Sequence, residues 1–361
     1  MTYKVAVAKG DGVGPEVVDS AMSVLDKVSS VFEFEIEYRE VLVGGAAYDR
    51  MGTPLPKETL DMVKDSDSVL FGAVGGSKWD NLPHESRPEK AILGLRKTLD
   101  AYSNLRPGIL YPQLKDASPL KNHIVEKGFD ICVVRELVGG IYFGRKRTWE
   151  GESGEMAEDV EGYSRSEIER IARKAFQLAQ LRRRKVTSVD KANVLHTSRL
   201  WRKVVQEVHG EYPEVDLEHM YIDNACMQVV RDPSQFDVIL TSNIFGDILS
   251  DEISMLTGSI GLLPSASMGD GKKGIYEPIH GSAPDLAGKD RVNPIGTILS
   301  AGMMLEHSFG EIEAARSIEY AIKKVFEEKY HTEDVFMEDG KLVGTKEITR
   351  LIAMNIEKGT N

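Results

Sequence analysis

An α/β fold with a largely parallel sheet is the class this chain predicts, and three observations carry it. Short apolar, β-branched runs alternate almost throughout with longer segments of helical period. A strand, a glycine-rich turn and a helix open the sequence. The 361 residues, 41% hydrophobic and 28% charged, have the composition of ordinary globular protein and a length that points to two domains at about 150 residues each.

Taken in order, Tyr3–Lys9 reads as a short buried strand, and Pro15 opens an amphipathic helix through Val17, Val18, Met22 and Leu25. FEFEIEY at 32–38 alternates apolar and acidic side chains, the mark of a half-buried strand. A helical stretch from Pro56 leads to the strand SVLFGAVGG, and GFDICVVRE is a further apolar strand. Ser164–Arg184 reads as a long helix with Ile168, Ile171, Ala172, Ala175 and Leu178 on one side. KVTSVDKAN is strand then turn, and DVILTSN is a strand running into the helix IFGDILSDEISML. Helices follow near 293–307, 312–329 and 346–358. The exception is 141–162, charged and glycine-rich without helical period, which reads as a loop. No repeat or low-complexity linker marks a domain boundary.

The formal net charge of -12 sets a field that repels nucleic-acid phosphates and acidic membrane surfaces, so an anionic substrate needs a local arginine cluster. Cys132 and Cys226 lack metal-type spacing and read as buried reduced thiols. The opening MTYKVAVAKG has no basic stretch followed by a long apolar one, and no run approaches the ~20 residues that span a bilayer. A cytoplasmic location is the expectation.

Several segments carry possible chemistry. GDGVGPE at 10–16 sits where a glycine-rich turn could seat a pyrophosphate, but its G-x-G-x-G spacing departs from the dinucleotide fingerprint and suits a tight turn without ligand equally well. In RPEKAILGLRK, Glu89, Ile92, Leu93 and Arg96 fall on one helical stripe, a poor core composition that is either a rim or a ligand face. Arg106 and Arg135 add two guanidinium groups able to clamp carboxylates.

Asp247 and Asp251 lie one turn apart on a helix, with Asp223 in a separate segment; a divalent cation would relieve their repulsion, and Ile248, Leu249 and Ile253 mark the helix as buried. Lys191 follows a strand end, where α/β sheets place functional side chains, though a lone lysine is usually a surface charge. Tyr142 is unremarkable by itself. His280, Gly281, Asp285 and Asn293 crowd a turn-rich stretch with three prolines that reads as a ligand loop.

GDGVGPE, RPEKAILGLRK, NLRP, VRELVGGIYFG, YSRSEIERIAR, KVTSVDKANVL, SNIFGDILSDE and EPIHGSAPDLAG together resemble, in order and over essentially the whole chain, the β-decarboxylating dehydrogenases, the family of isocitrate and isopropylmalate dehydrogenases. The resemblance is closest to the isopropylmalate branch. No Ser/Asn-type pair stands near Glu89–Leu93 to hold an extra carboxylate, and no basic pair stands at Asp285–Leu286 for a 2′-phosphate.

The resemblance implies a two-domain fold with a large mixed sheet, not a Rossmann fold, with residues 1–101 and 259–361 in the first domain and 102–258 in the second. It makes residues 141–162 an arm that forms strands with the partner of a homodimer. It implies NAD-dependent oxidative decarboxylation of 3-isopropylmalate in leucine biosynthesis, with Mg²⁺ or Mn²⁺ and active sites shared between subunits.

Residue by residue, the resemblance implies Tyr142 and Lys191 as catalytic groups and Asp223, Asp247 and Asp251 as metal ligands. The substrate falls to Glu89, Ile92, Leu93, Arg96, Arg106, Arg135, Val194 and Asp223. The cofactor falls to Val13, Glu277, His280, Gly281, Ser282, Ala283, Asp285 and Asn293. A sister enzyme for D-malate, tartrate or homoisocitrate would share the catalytic set and differ at Glu89–Leu93. A silent regulatory subunit would be expected to have lost some of it.

Overall fold

The computed structural model describes residues 1–126 and 128–359 and divides into two compact units. Unit 1 comprises Met1–Ala101, Leu110–Glu126 and Ser254–Asn361, and unit 2 comprises Tyr102–Ile109 and Lys127–Ile253. The segment 110–126 thus groups with both chain ends, not with the middle as the resemblance implied. Tyr111 packs its ring on Phe326 at 5.4 Å, and Ser118 Oγ donates to the Leu256 carbonyl at 2.7 Å.

Unit 1 starts with β1 (Thr2–Gly10), α1 (Gly14–Phe32), β2 (Glu35–Glu40), α2 (Gly44–Met51), α3 (Lys57–Asp65), β3 (Ser68–Ala73) and α4 (Lys90–Thr98). Val5, Ala6, Val7 and Ala8 of β1 are fully buried, as befits a strand parallel to both β2 and β3. Pro15 starts α1, and Val17, Val18, Ala21, Val24, Leu25 and Val28 form its buried stripe. That helix keeps Phe32, and Glu33 turns left-handed with φ 65°, so the expected strand at Phe32–Tyr38 begins later, at Glu35.

Unit 2 opens with β4 (Ser103–Leu110); α5 (Asn122–Val125) lies in the segment belonging to unit 1. Next come β5 (Phe129–Glu136), β6 (Lys146–Gly151), β7 (Gly154–Asp159), α6 (Arg165–Gln180) and β8 (Lys185–Asp190). The series ends with α7 (His196–His209), β9 (Asp216–Tyr221), α8 (Ile222–Arg231), β10 (Val238–Thr241) and α9 (Asn243–Leu256). The strand order is β4-β5-β10-β8-β9, with β10 parallel to β5 and β8, and β8 parallel to β9.

The chain finishes in unit 1 with β11 (Pro264–Met268), β12 (Gly274–Pro278), α10 (Ile295–Met304), α11 (Ile312–Glu327) and α12 (Thr345–Met354). There the order is β2-β1-β3-β12-β11, and β11 pairs antiparallel with β12. A short connection permits only a hairpin, which is why the architecture is mixed and the local expectation of a largely parallel sheet needs this amendment.

Two further expectations change. Residues 141–162 are not a plain loop: β6 and β7 form an antiparallel hairpin, Lys146 opposite Asp159 through Gly151 opposite Gly154. Its charges sit on a two-stranded ribbon that lacks a buried face, so the pattern carries no hydrophobic alternation. The helix expected to reach Arg184 stops at Gln180, because Arg182 Nε and the Arg183 amide are drawn 2.8 Å from the Asp237 carboxylate. Among the described residues no helix is long and apolar enough to cross a membrane.

Candidate active site

Arg135 is the penultimate residue of β5 and only 4% exposed. Its register partner on β10 is Thr241, so α9, which starts two residues later, begins beside it. Strand ends and helix starts gather functional groups in this way in α/β sheets. Gly246 permits the approach: a Cβ there would lie 2.7 Å from Arg135 Cγ. One turn into α9, Asp247 accepts from Arg135 Nη1 and, at 2.9 Å, from the Tyr142 hydroxyl.

Arg106 approaches the same carboxylates from β4. Its Nη1 stands 3.6 Å from Asp247 Oδ1 and 3.7 Å from Asp251 Oδ1, held by bonds to Asn104 and Ser250, each 2.7 Å. The electrostatics follow from this ring of charge. Burial alone would push the Asp247 carboxyl up, but Arg135 and Arg106 overcome it and hold it below the usual range. Asp251 lies above the ordinary range, through burial and the neighbouring Asp247 charge. Burial, then the hydrogen bond to Asp247, raises Tyr142, so its proton is kept.

The expected burial of this helix holds for Leu249 and Ile253 but fails for Ile248, which is 56% exposed. With Asp251 and Met255 it lies on an outward face at helical spacing, so apolar type misread the side.

Lys191, just beyond β8, donates to Asp223 Oδ1 at 2.6 Å across to the first turn of α8. That bond holds the Asp223 carboxyl below its ordinary range. Asp223 does not join Asp247 and Asp251: among the described residues no three acidic, histidine or cysteine side chains gather as metal ligands. Val194 is exposed nearby in sequence. Cys132 is buried, whereas Cys226, also expected buried, is only half so and bonds Glu252.

In unit 1 the GDGVGPE turn is a packed support. The amides of Asp11, Val13 and Gly14 donate to the carbonyls of Ala73, Ser282 and Asp11. A Cβ on Gly12, whose φ is +57°, would fall 2.0 Å from the Ser282 oxygen. With those amides committed, the tight-turn reading wins over the phosphate cradle. The Val13 side chain is sealed with Val17 and Val292 in a small core, against which Leu286 and Ala287 pack. Glu16 accepts from the amides of Gly288 (2.6 Å) and Asp290 (3.3 Å). The turn thereby fixes the loop that follows β12.

On that loop Gly281, Ala283 and Asp285 are exposed, and Ser282 is buried. His280 Nδ1 lies 2.9 Å from the Gly281 carbonyl, while its Nε2 is buried without a hydrogen-bond partner among the described residues. Burial lowers the His280 ring and keeps it neutral. Asn293 is otherwise engaged, its amide bridging the Ile295 N–H and Asp334 at 3.1 Å each. Arg96 donates from Nη2 to Glu277 at 2.8 Å, and its buried Nε has no partner among the described residues. Glu89, the N-cap of α4, stays exposed, while on α4 itself Ile92 packs on the core and Leu93 is partly exposed.

Asn243, Glu136 and Ser250 support the arginines and the turn around the carboxylates but escaped the sequence reading: Asn243 accepts from Arg135, Ser250 accepts from Arg106, and Glu136 accepts from the Val138 and Gly139 amides. Asn243 and Ser250 stand on the same helix as Asp247, and Glu136 directly follows Arg135. A buried charge beside a second charge at a strand end was the available signal.

A model of the isocitrate/isopropylmalate dehydrogenase family matches residues 4–352. The chain belongs to that family. It is 57% identical over 350 residues to a 3-isopropylmalate dehydrogenase of Clostridium acetobutylicum, covering 97% of this chain and 98% of the relative. Identity to that of Aquifex aeolicus is 55%, over 99% and 98%. A crystal structure of isocitrate dehydrogenase from Methylococcus capsulatus superposes with a TM-score of 0.87 at 33% identity, covering 99% of this chain and all of the other. The family is one of oxidoreductases, and the sequence relatives favour its isopropylmalate branch.

Proposed function

We propose that this chain catalyses the NAD- and divalent-metal-dependent oxidative decarboxylation of 3-isopropylmalate to 4-methyl-2-oxopentanoate, a step of leucine biosynthesis, as a cytoplasmic homodimer with shared active sites. The observation that carries the reading is the convergence of Arg106, Arg135 and Tyr142 on Asp247 and Asp251.

The residues fit the groups the reaction needs. Asp247 and Asp251 offer hard oxygen ligands one turn apart, and Asp223 of a second copy would complete the set. The open loop at Gly281–Asp285 beside the unpartnered His280 Nε2 suits the cofactor. NAD, when bound, would supply a hydride acceptor, and a divalent ion would supply positive charge to stabilise the developing oxyanion.

Arg96, Arg106 and Arg135 bind and orient the malate carboxylates. Lys191, contributed by a second copy, takes the C2 hydroxyl proton. After the β-carboxylate leaves as CO₂, Tyr142 gives its proton to C3, a role suited to a hydroxyl that stays protonated. Met227 and Val230 on α8 and Ile248 and Met255 on α9 are exposed apolar side chains of the kind a dimer covers.

The test is NADH formation with a panel of 2-hydroxy-3-carboxy acids and Mg²⁺. Efficiency should fall from 3-isopropylmalate through other 3-alkylmalates to D-malate, with isocitrate near background. NADP should be disfavoured, because Asp285 repels a 2′-phosphate. Preference for D-malate or isocitrate would replace the substrate assignment, and equal use of NADP would remove the role of Asp285.

A further inference from the structure

Asn243 is 1% exposed, and its side-chain amide and backbone N–H are spent on the surroundings of Asp247. Oδ1 accepts from both Arg135 Nε (3.0 Å) and Arg135 Nη2 (2.7 Å), which fixes the plane of the guanidinium. Nδ2 donates to the Gly139 carbonyl at 3.1 Å, and the backbone N–H donates to the Tyr163 hydroxyl at 2.9 Å. Gly139 belongs to the turn that delivers Tyr142. Asn243 is also one helical turn before Asp247. One buried amide therefore touches the strand bearing Arg135, the turn bearing Tyr142 and the helix bearing Asp247.

The turn is braced from its other side. Glu136, fully buried, accepts from the amides of Val138 (3.1 Å) and Gly139 (2.8 Å), with Arg170 Nη2 at 3.9 Å. Tyr163 closes the packing: a Cβ on Gly139 would lie 2.8 Å from its ring, and one on Gly140 would lie 2.4 Å from its hydroxyl. Two glycines here let an aromatic ring lie on the turn while its hydroxyl receives Asn243.

We propose that Asn243 is a positioning residue, which sets the guanidinium plane of Arg135 through Oδ1 and the place of Tyr142 through the Gly139 turn. The two arms of the amide separate two effects. Losing the Oδ1 acceptor frees Arg135 to swivel and weakens carboxylate binding. Losing the Nδ2 donor slackens the turn and slows proton delivery.

The test compares wild type with Asn243→Ala, which removes both arms, and Asn243→Asp, which keeps the acceptor and removes the donor. The kinetic half rests on the proposed reaction. Asn243→Ala should raise KM for 3-isopropylmalate at least ten-fold and lower kcat. Asn243→Asp should return KM toward wild type while kcat stays low.

The other half is independent of the reaction: exchange of the Arg135 Nε–H by NMR in deuterated, ¹⁵N-arginine-labelled protein, its signal identified by loss in Arg135→Lys. That proton should exchange at least ten-fold faster in Asn243→Ala and at the wild-type rate in Asn243→Asp. Should Asn243→Ala fail to fold, the Asp variant decides, with slow exchange and a low kcat required. Unchanged exchange in Asn243→Ala, or equal kinetic losses in both variants, overturns the inference. Wild type inactive on the whole acid panel, with exchange behaving as stated, sinks the proposed function and leaves the positioning role intact.

Discussion

Asp247 and Asp223 are both expected on one cation, yet the chain surrounds them very differently. Asp247, with its side chain 35% exposed, meets Arg135, Arg106 and Tyr142 within its own unit. Asp223, 62% exposed, meets Lys191 and no second cation within ion-pair distance among the described residues. The first carboxylate is preorganised by two largely buried guanidinium groups that cost little further ordering; the second sits in a solvated pair, the kind that contributes little stability. One chain thus builds a finished anchor around Asp247 and keeps Lys191 and Asp223 as a separate pair, which the proposed function assigns to the site of a second copy.

The sharpest way to break that comparison is complementation. Lys191→Met and Tyr142→Phe should each lose about 10²–10⁴ in kcat, the usual worth of a general acid or base. Mixed heterodimers should regain one native site of two, because both defects fall in the same site and leave the other intact when Lys191 serves the opposite subunit. Verified heterodimers with no recovered turnover would place Lys191 and Tyr142 in one subunit's site.

A smaller effect tests how firmly the Asp247 side is anchored. Burial raises the Glu136 carboxyl from 4.5 to about 7 against the lowering pull of the Val138 and Gly139 amides and Arg170; Glu167 adds to the rise, and Tyr163 also faces the group. Because the folded carboxyl holds its proton at higher pH than the unfolded one, folding stability falls as pH rises from about 4.5 to about 7. Glu136→Gln removes that dependence, so wild type should lose stability relative to the variant across this window, by at most about 3 kcal/mol. Denaturant melts at pH 5, 6, 7 and 8 measure it, and parallel curves would show that Glu136 titrates normally.

The smallest effect belongs to unit 1. Leu93→Ala should lower kcat/KM for 3-isopropylmalate by about 1–2 kcal/mol, within the usual limits of apolar discrimination, and hardly change D-malate. Ile92, packed on the core, is the poorer probe, since its removal would cost stability as well. An equal loss on both substrates would mean that Leu93 does not meet the alkyl group.

Local chemistry made much of this legible. A strand of ICVV, a helix opened by Pro15 and the i, i+4 pair Asp247 and Asp251 declare themselves through periods of two and 3.6, which need no tertiary partner. The ordered motifs carried the family and the identities of the charged residues. What misled was reading burial from residue type at single positions: Ile248 is apolar and exposed, Asn243 polar and sealed.

By itself, then, the sequence determined most of the strands and helices, which side chains bear charge and which family they belong to, because these follow from short-range sterics and chemical identity. Only the tertiary structure decided that 110–126 joins the chain ends, that 146–159 folds into a hairpin and that the GDGVGPE turn serves as a support for the 280–290 loop. It alone set Asn243 between Arg135 and Gly139. Each of these rests on contacts between residues far apart in the chain, and neither periodicity nor spacing encodes the partner of a buried hydrogen bond.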